Sequence, residues 1–111
     1  MTKVVNSHKG KEWFEKGDKA LLAKKYDEAI DCYKKAIEIN PDYAAAHNNL
    51  GHAYCIKKMY SLGADHFYKA GLLFLKQGNR KWALYAYEVL KSIKSEELEK
   101  ALYKKLYPDI K

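Results

Sequence analysis

The chain has 111 residues, of which 48% are hydrophobic and 32% charged, and its formal net charge is +7 at pH 7. This length suits one domain, and this composition excludes a disordered chain. It has no run near the ~20 apolar residues that cross a bilayer, and residues 1–9 lack the apolar stretch of a secretory signal.

Helix-forming residues dominate from Lys9 to Tyr107, and short breaks divide them. The clearest breaks are Asn40-Pro41-Asp42 and Gly78-Asn79, and Lys94-Ser95 is weaker. Proline and glycine end helices, and the short polar residues after them favour the start of the next helix. We therefore expect N-terminal caps at Asp42, Asn79 and Ser95.

Between the breaks, apolar residues recur at three and four positions, as in Ala29, Ile30, Tyr33 and Ala36. This spacing predicts helices, and no segment alternates as a strand would. The sequence therefore predicts an all-α fold of about six helices, at approximately Ser7–Lys24, Tyr26–Ile39, Tyr43–Lys57, Tyr60–Lys76, Arg80–Lys94 and Ser95–Tyr107.

The chain also resembles itself at one offset. Gly17 and Gly51, Tyr26 and Tyr60, and Ala36 and Ala70 are each 34 positions apart. A fixed period of this size, with two helices per unit, predicts stacked helical hairpins whose small residues allow close approach.

These repeats resemble the tetratricopeptide (TPR) motif. The residues that carry the likeness in the first unit are Trp13, Gly17, Ala20, Tyr26, Ala29, Tyr33, Ala36 and Pro41, and those in the second are Leu50, Gly51, Tyr54, Tyr60, Phe67 and Ala70. The resemblance implies a right-handed α-α superhelix, a TPR-like solenoid.

One domain is expected over residues 1–111. It would contain repeat one at 10–43, repeat two at 44–77, and a degenerate third hairpin of capping helices at 78–107. The sequence departs from the motif at Lys16, His47 and Gly63, and the second unit has no closing proline. A competing register places Gly71, Phe74, Ala83 and Tyr87 in the motif, so that the fourth helix begins a new repeat.

The resemblance also implies a function. In this family the first helix of each hairpin lines a concave groove that binds peptides or helices of partner proteins. Carried over by position, the groove residues are Lys11, Phe14, Asp18, Leu21, Leu22, Ala45, Asn48, Asn49, His52, Cys55 and Ile56. Asn49 stands where family members often bond the backbone of a bound peptide.

One variant of the family holds the acidic tails of heat-shock chaperones with lysine, asparagine and arginine side chains. Here Phe14 and Asp18 occupy two of those positions, and only Asn49 agrees. Because Asp18 would repel a terminal carboxylate, we expect a different partner for the groove. The net charge of +7 nevertheless favours acidic partners in general.

Several other functions find little support in the sequence. His52 and Cys55 could share a metal, but no third ligand is apparent, and no catalytic or nucleotide-binding motif occurs. We expect a protein–protein interaction module (an adaptor, scaffold or assembly factor) that is not an enzyme and uses no cofactor. Cys32 and Cys55 are too few for a disulfide-held secreted domain, which indicates reduced thiols and a cytoplasmic protein.

Two alternatives remain open at the level of sequence. One is a homotypic assembly block that stacks through apolar end surfaces, for which Leu98, Leu102, Tyr103 and Leu106 are candidates. The other is a basic nucleic-acid-binding repeat, which the net charge alone supports because most tyrosines fall at packing positions. We expect no membrane insertion.

Overall fold

The computed structural model describes residues 7–93 and 95–109. Over these residues the chain is entirely helical, with no strand. The six helices are α1 (Ser7–Leu22), α2 (Tyr26–Ile39), α3 (Ala44–Ile56), α4 (Tyr60–Lys76), α5 (Arg80–Ser92) and α6 (Glu96–Leu106). The predicted all-α fold of about six helices is confirmed. The predicted helix ends agree within two residues, except that Lys94, the predicted end of the fifth helix, lies outside the described residues.

Among the described residues, three helix ends share a hydrogen-bonded turn in which one residue lies in the left-handed region. These residues are Lys24, Lys58 and Gly78, with φ of 62°, 64° and 77°. In each case the next N–H reaches a carbonyl five residues back, which satisfies the open helix end. The bonds run from Lys25 to Ala20 at 2.8 Å, from Met59 to Tyr54 at 2.9 Å and from Asn79 to Phe74 at 2.8 Å.

The predicted caps have mixed outcomes. Asn79 caps α5, since its side-chain oxygen accepts the N–H of Trp82 at 3.3 Å. The cap at Asp42 is wrong, because α3 begins one residue later, after Tyr43, and the Asp42 N–H instead donates to the side chain of Asn40. Ser95 precedes α6, but its side chain makes no capping bond.

Glycines allow the helices of each pair to touch. A Cβ on Gly17 would lie 2.6 Å from the ring of Tyr33, where α1 meets α2. A Cβ on Gly51 would lie 3.0 Å from the ring of Phe67 and 3.1 Å from the Gly63 carbonyl oxygen, where α3 meets α4. The contact of Gly17 with Tyr33 and that of Gly51 with Phe67 are equivalent and 34 positions apart. The sequence repeat therefore corresponds to a repeated packing contact between helices.

The molecule measures 42 × 40 × 19 Å. Because a helix with its side chains is about 10 Å wide, the short dimension holds two helices. Successive helices pack on one another, and α1 also contacts α3. No helix of the described residues has the length and apolarity needed to span a bilayer.

The C-terminal helices close this stack. α4 packs against both α5 and α6, and a Cβ on Gly71 would lie 2.7 Å from a methyl of Leu102. Leu102 and Leu106 are 0% and 2% exposed. Their proposed part in an exposed end surface is therefore wrong, because α6 turns this stripe toward α4. Tyr103 is exposed and Leu98 half-buried.

Candidate functional site

A chain of hydrogen bonds crosses from α2 through α1 to α3. The Asp18 Oδ1 atom accepts the Tyr33 hydroxyl at 2.5 Å and the Asn49 Nδ2 atom at 2.9 Å. The Asn49 Oδ1 atom accepts from the Asn48 Nδ2 atom at 3.3 Å. A carboxylate can only accept, so Asp18 fixes the orientation of the Asn49 amide, and Asn49 in turn fixes that of Asn48.

The open end of this chain is an acceptor. Asn48 is 7% exposed, and its Oδ1 atom is a buried side-chain oxygen with no hydrogen-bond partner within the described residues. Leaving such a group unpaired costs roughly 1–3 kcal/mol. The network therefore ends in an acceptor that is enclosed by the protein.

Aromatic rings flank the network. Phe14 stacks on Tyr43 with ring centroids 4.9 Å apart, and it lies 5.8 Å from Tyr33 at a tilt. Burial, followed by the hydrogen bond to Asp18, raises the pKa of Tyr33. Burial also raises the pKa of Tyr43, and the charges of Asp18 and Glu15 add to this effect. Both tyrosines therefore keep their protons at neutral pH.

Beside Asn49, a cavity of about 260 Å³ opens where α3 faces the end of α4 and the start of α5. Its lining carries no ionisable side chain and consists of Ala45, Asn48, Asn49, Phe74, Asn79 and Trp82. Phe74 and Trp82 stack with centroids 6.0 Å apart. We call the sides of α1 and α3 that carry Phe14, Asp18, Asn48 and Asn49, together with this cavity, the groove face.

Sequence reasoning missed the contribution of the third helix pair to this cavity. The motif fades after residue 77, so no groove residue was predicted from α5 or from the end of α4. The spacing of Asn79, Trp82 and Tyr85 puts these polar and aromatic residues on one side of a helix, and this signal could have found them.

His52 joins α3 to α5. Its Nε2 atom lies 2.7 Å from the Tyr85 hydroxyl oxygen, and its ring meets the edge of Phe67 at 4.9 Å. Burial lowers the pKa of His52 and raises that of Tyr85, so both side chains are neutral at pH 7. This contact ties the two helices on either side of the cavity.

The remaining predicted groove residues lie outside the network. Lys11 is exposed, Leu22 is 85% exposed and Ile56 is 49% exposed, while Leu21 packs against the core of the first helix pair. Cys55 is half-buried against α4, where its sulfur would be 2.5 Å from a Cβ on Gly63. The structure thus brings together Phe14, Asp18, Ala45, Asn48 and Asn49.

The His52–Cys55 pair does not extend into a metal site in the part of the chain that the structure describes. No group of three or more His, Cys, Asp or Glu residues there could hold a metal ion. Burial also raises the pKa of Cys55, which keeps its thiol protonated and weakly nucleophilic at neutral pH.

Lysines gather on a different side of α1. A cavity of about 570 Å³ is lined by Trp13, Lys16, Lys19, Ala20, Ala23, Lys25, Glu28 and Cys32. The Nζ atoms of Lys16 and Lys35 lie 4.7 and 4.6 Å from the centre of the Trp13 ring. In an α-helix, Trp13 and Lys16 project almost opposite to Phe14 and Asp18, so these charges do not line the groove face.

Comparison with known proteins bears on both the repeat and the overall shape. Residues 17–55 match the family described as TPR repeat. In overall shape the chain is similar to the N-terminal domain of stress-induced protein-1 (STI-1) from C. elegans, with a TM-score of 0.52 and 21% sequence identity. That match covers 95% of this chain and 98% of the other. At this identity the likeness supports the fold.

Proposed function

We propose that this chain, of which residues 17–55 match the TPR repeat family, is a protein–protein interaction module whose groove face binds an extended peptide segment of a partner. Tetratricopeptide repeats are, as a class, protein-binding modules and typically not enzymes. The finer proposal concerns where the partner binds and what holds it.

The observation that carries this proposal is the cavity beside Asn49. It joins an exposed aromatic side chain, Trp82 at 41% exposure, to the amide groups of Asn48, Asn49 and Asn79. Apolar and aromatic walls with a few fixed polar groups are typical of sites that bind peptide side chains. The Asn49 Oδ1 atom keeps one lone pair available for the N–H of a peptide backbone beyond the bond that it accepts from Asn48.

A module of this size acts by bringing partners together, so we assign the chain the role of an adaptor, scaffold or assembly factor. Cys32 and Cys55 are both free thiols, and this state suits the reducing conditions of the cytoplasm. The basic side chains around Trp13 give an acidic partner a separate place to bind, away from the groove face.

A random peptide library displayed on phage tests the groove. We expect peptides selected on the wild-type protein to lose ~10-fold or more in affinity with Trp82→Ala and with Phe14→Ala, because aromatic anchors dominate such interfaces. Tyr60→Ala is the matched control, since Tyr60 is 50% exposed on α4 and lies outside the groove face.

Circular dichroism must show unchanged helicity in all three variants. Selection of no peptide, or an equal loss of affinity with Tyr60→Ala, would overturn the groove assignment.

A further inference from the structure

Building on the proposed function, we propose that the bound segment is basic and places a lysine or arginine side chain against Asp18. The net charge of +7 favours acidic partners in general, so the groove face would differ in preference from the rest of the surface.

Asp18 is a half-buried carboxylate without a cation. Both of its hydrogen bonds end on Oδ1, and neither donor, Tyr33 nor Asn49, is charged. Within the described residues its side chain forms no ion pair and its Oδ2 atom accepts no hydrogen bond. A half-buried carboxylate is stabilised by a charge-assisted hydrogen bond from a cation, and a partner side chain can supply one.

The hydrogen-bond polarity of the groove face points the same way. Asp18 leaves its Oδ2 atom open, because both of its hydrogen bonds end on Oδ1. A partner group that brings donors satisfies this oxygen, and lysine and arginine side chains are donors that cannot accept. A glutamate or aspartate side chain would face Asp18 with a like charge.

Aromatic rings complete a site for a cation. Phe14 and Tyr43 form a stacked pair beside Asp18, and the Trp82 ring is 41% exposed at the neighbouring cavity. A guanidinium or ammonium group over such a ring gains roughly 0.5–2 kcal/mol. The cavity lining adds no positive charge that would repel it.

The net charge of +7 opposes a basic peptide at long range. This repulsion is screened beyond about 8 Å at physiological ionic strength, whereas contact with Asp18 is screened much less. Selectivity for a basic side chain therefore arises at contact distance. We therefore expect the affinity for a basic peptide to rise or stay constant as the salt concentration rises.

The test uses the peptides selected from the random library at physiological salt. Lysine or arginine should be enriched at one position, and replacing that residue by glutamine should weaken binding ~10-fold. Asp18→Asn should cause a similar loss, because the new amide keeps an oxygen for Tyr33 and Asn49 but removes the charge. Asp31→Asn, which changes the same charge on the exposed side of α2, is the matched control.

The outcomes separate the two proposals. If peptides bind the groove without basic enrichment, or if Asp18→Asn leaves their affinity unchanged, the basic-segment inference is overturned and the groove stands. Enrichment of acidic residues overturns it as well. If no peptide is selected, the groove assignment falls, and this inference falls with it.

Discussion

His47 and His66 form a pair of imidazoles between α3 and α4, in which His47 is buried and His66 half-buried. Their Nδ1 atoms are 3.1 Å apart, and the His47 Nε2 atom lies 2.9 Å from the Pro41 carbonyl oxygen. A carbonyl only accepts, so His47 carries its proton on Nε2 and its Nδ1 accepts from His66. Burial, and then the charge of His47, lowers the pKa of His66 to about 4, and burial lowers that of His47.

This pair predicts acid sensitivity. Between pH 6.5 and 4 the unfolded chain binds a proton on His66 that the folded chain does not, so the free energy of unfolding falls as pH falls. We expect a loss of about 1–2 kcal/mol from pH 7 to pH 5. Urea titrations followed by circular dichroism measure it. In His66→Gln the free energy of unfolding should depend less on pH between 7 and 5. An unchanged pH dependence in that variant would show that His66 is not the group responsible.

The residue scale also sets the limit of prediction from sequence. The resemblance to the repeat family assigns Phe14, Asp18 and Asn49 to one groove, and helical spacing agrees for Phe14 and Asp18, which share one face of α1. The sequence does not predict the hydrogen bond from Tyr33 to Asp18. The ring of Tyr33 packs in the core as expected, but its hydroxyl group extends to the carboxylate of Asp18. His66 was likewise missed, because its partner comes from another helix.

The packing of α3 against α4 depends on close contact at Gly51. In Gly51→Ala the new methyl would meet the Phe67 ring and the Gly63 carbonyl, and backbone cannot move aside cheaply. We expect a loss of about 1–3 kcal/mol in the free energy of unfolding. Gly10→Ala is the control, since its Cβ would meet Ile39 at an ordinary 3.5 Å and helix propensity favours alanine.

Chemical denaturation should show a lower free energy of unfolding for Gly51→Ala. The free energy of unfolding of Gly10→Ala should be unchanged or higher. Equal stability of Gly51→Ala and the wild type would mean that α3 and α4 are not in close contact at this glycine.

Helix ends offer a stabilising change. Lys58 holds φ at 64°, which costs a residue with a Cβ about 1 kcal/mol. Lys58→Gly removes this strain, and after the entropy gained by the unfolded chain we expect a net gain of about 0.5 kcal/mol. Thermal denaturation measures it. Lys76→Gly, in the last turn of α4, should instead lose about 1 kcal/mol; a gain in both variants would exclude the explanation.

The three turns also bear on how the helices pair. Gly78 lies between α4 and α5, yet its hydrogen bonds repeat those of Lys24 and Lys58, which lie inside the first two helix pairs. We propose that α4 pairs with α3 and with α5 in the same manner, as the register through Gly71 and Ala83 predicts. The cavity beside Asn49 lies at this junction.

For the whole molecule, the sequence predicted the helices and their repetition because both depend on local spacing and on residues at a fixed offset. It predicted the C-terminal end less well. There the motif fades, and whether Leu102 and Leu106 face water or α4 depends on long-range packing that no local pattern encodes. The part of the groove face that depends on α5, with Trp82 and Asn79, was missed for the same reason.

We expect a partner peptide to bind across α1, α3 and the start of α5. Amide chemical-shift mapping by NMR, with a selected peptide titrated into the isotope-labelled protein, locates the binding surface. The largest shifts should fall around Asp18, Asn48, Asn49 and Trp82. Shifts centred on Trp13 and Lys16, or on the outer side of α4 around Tyr60, would show that the peptide does not bind the groove face.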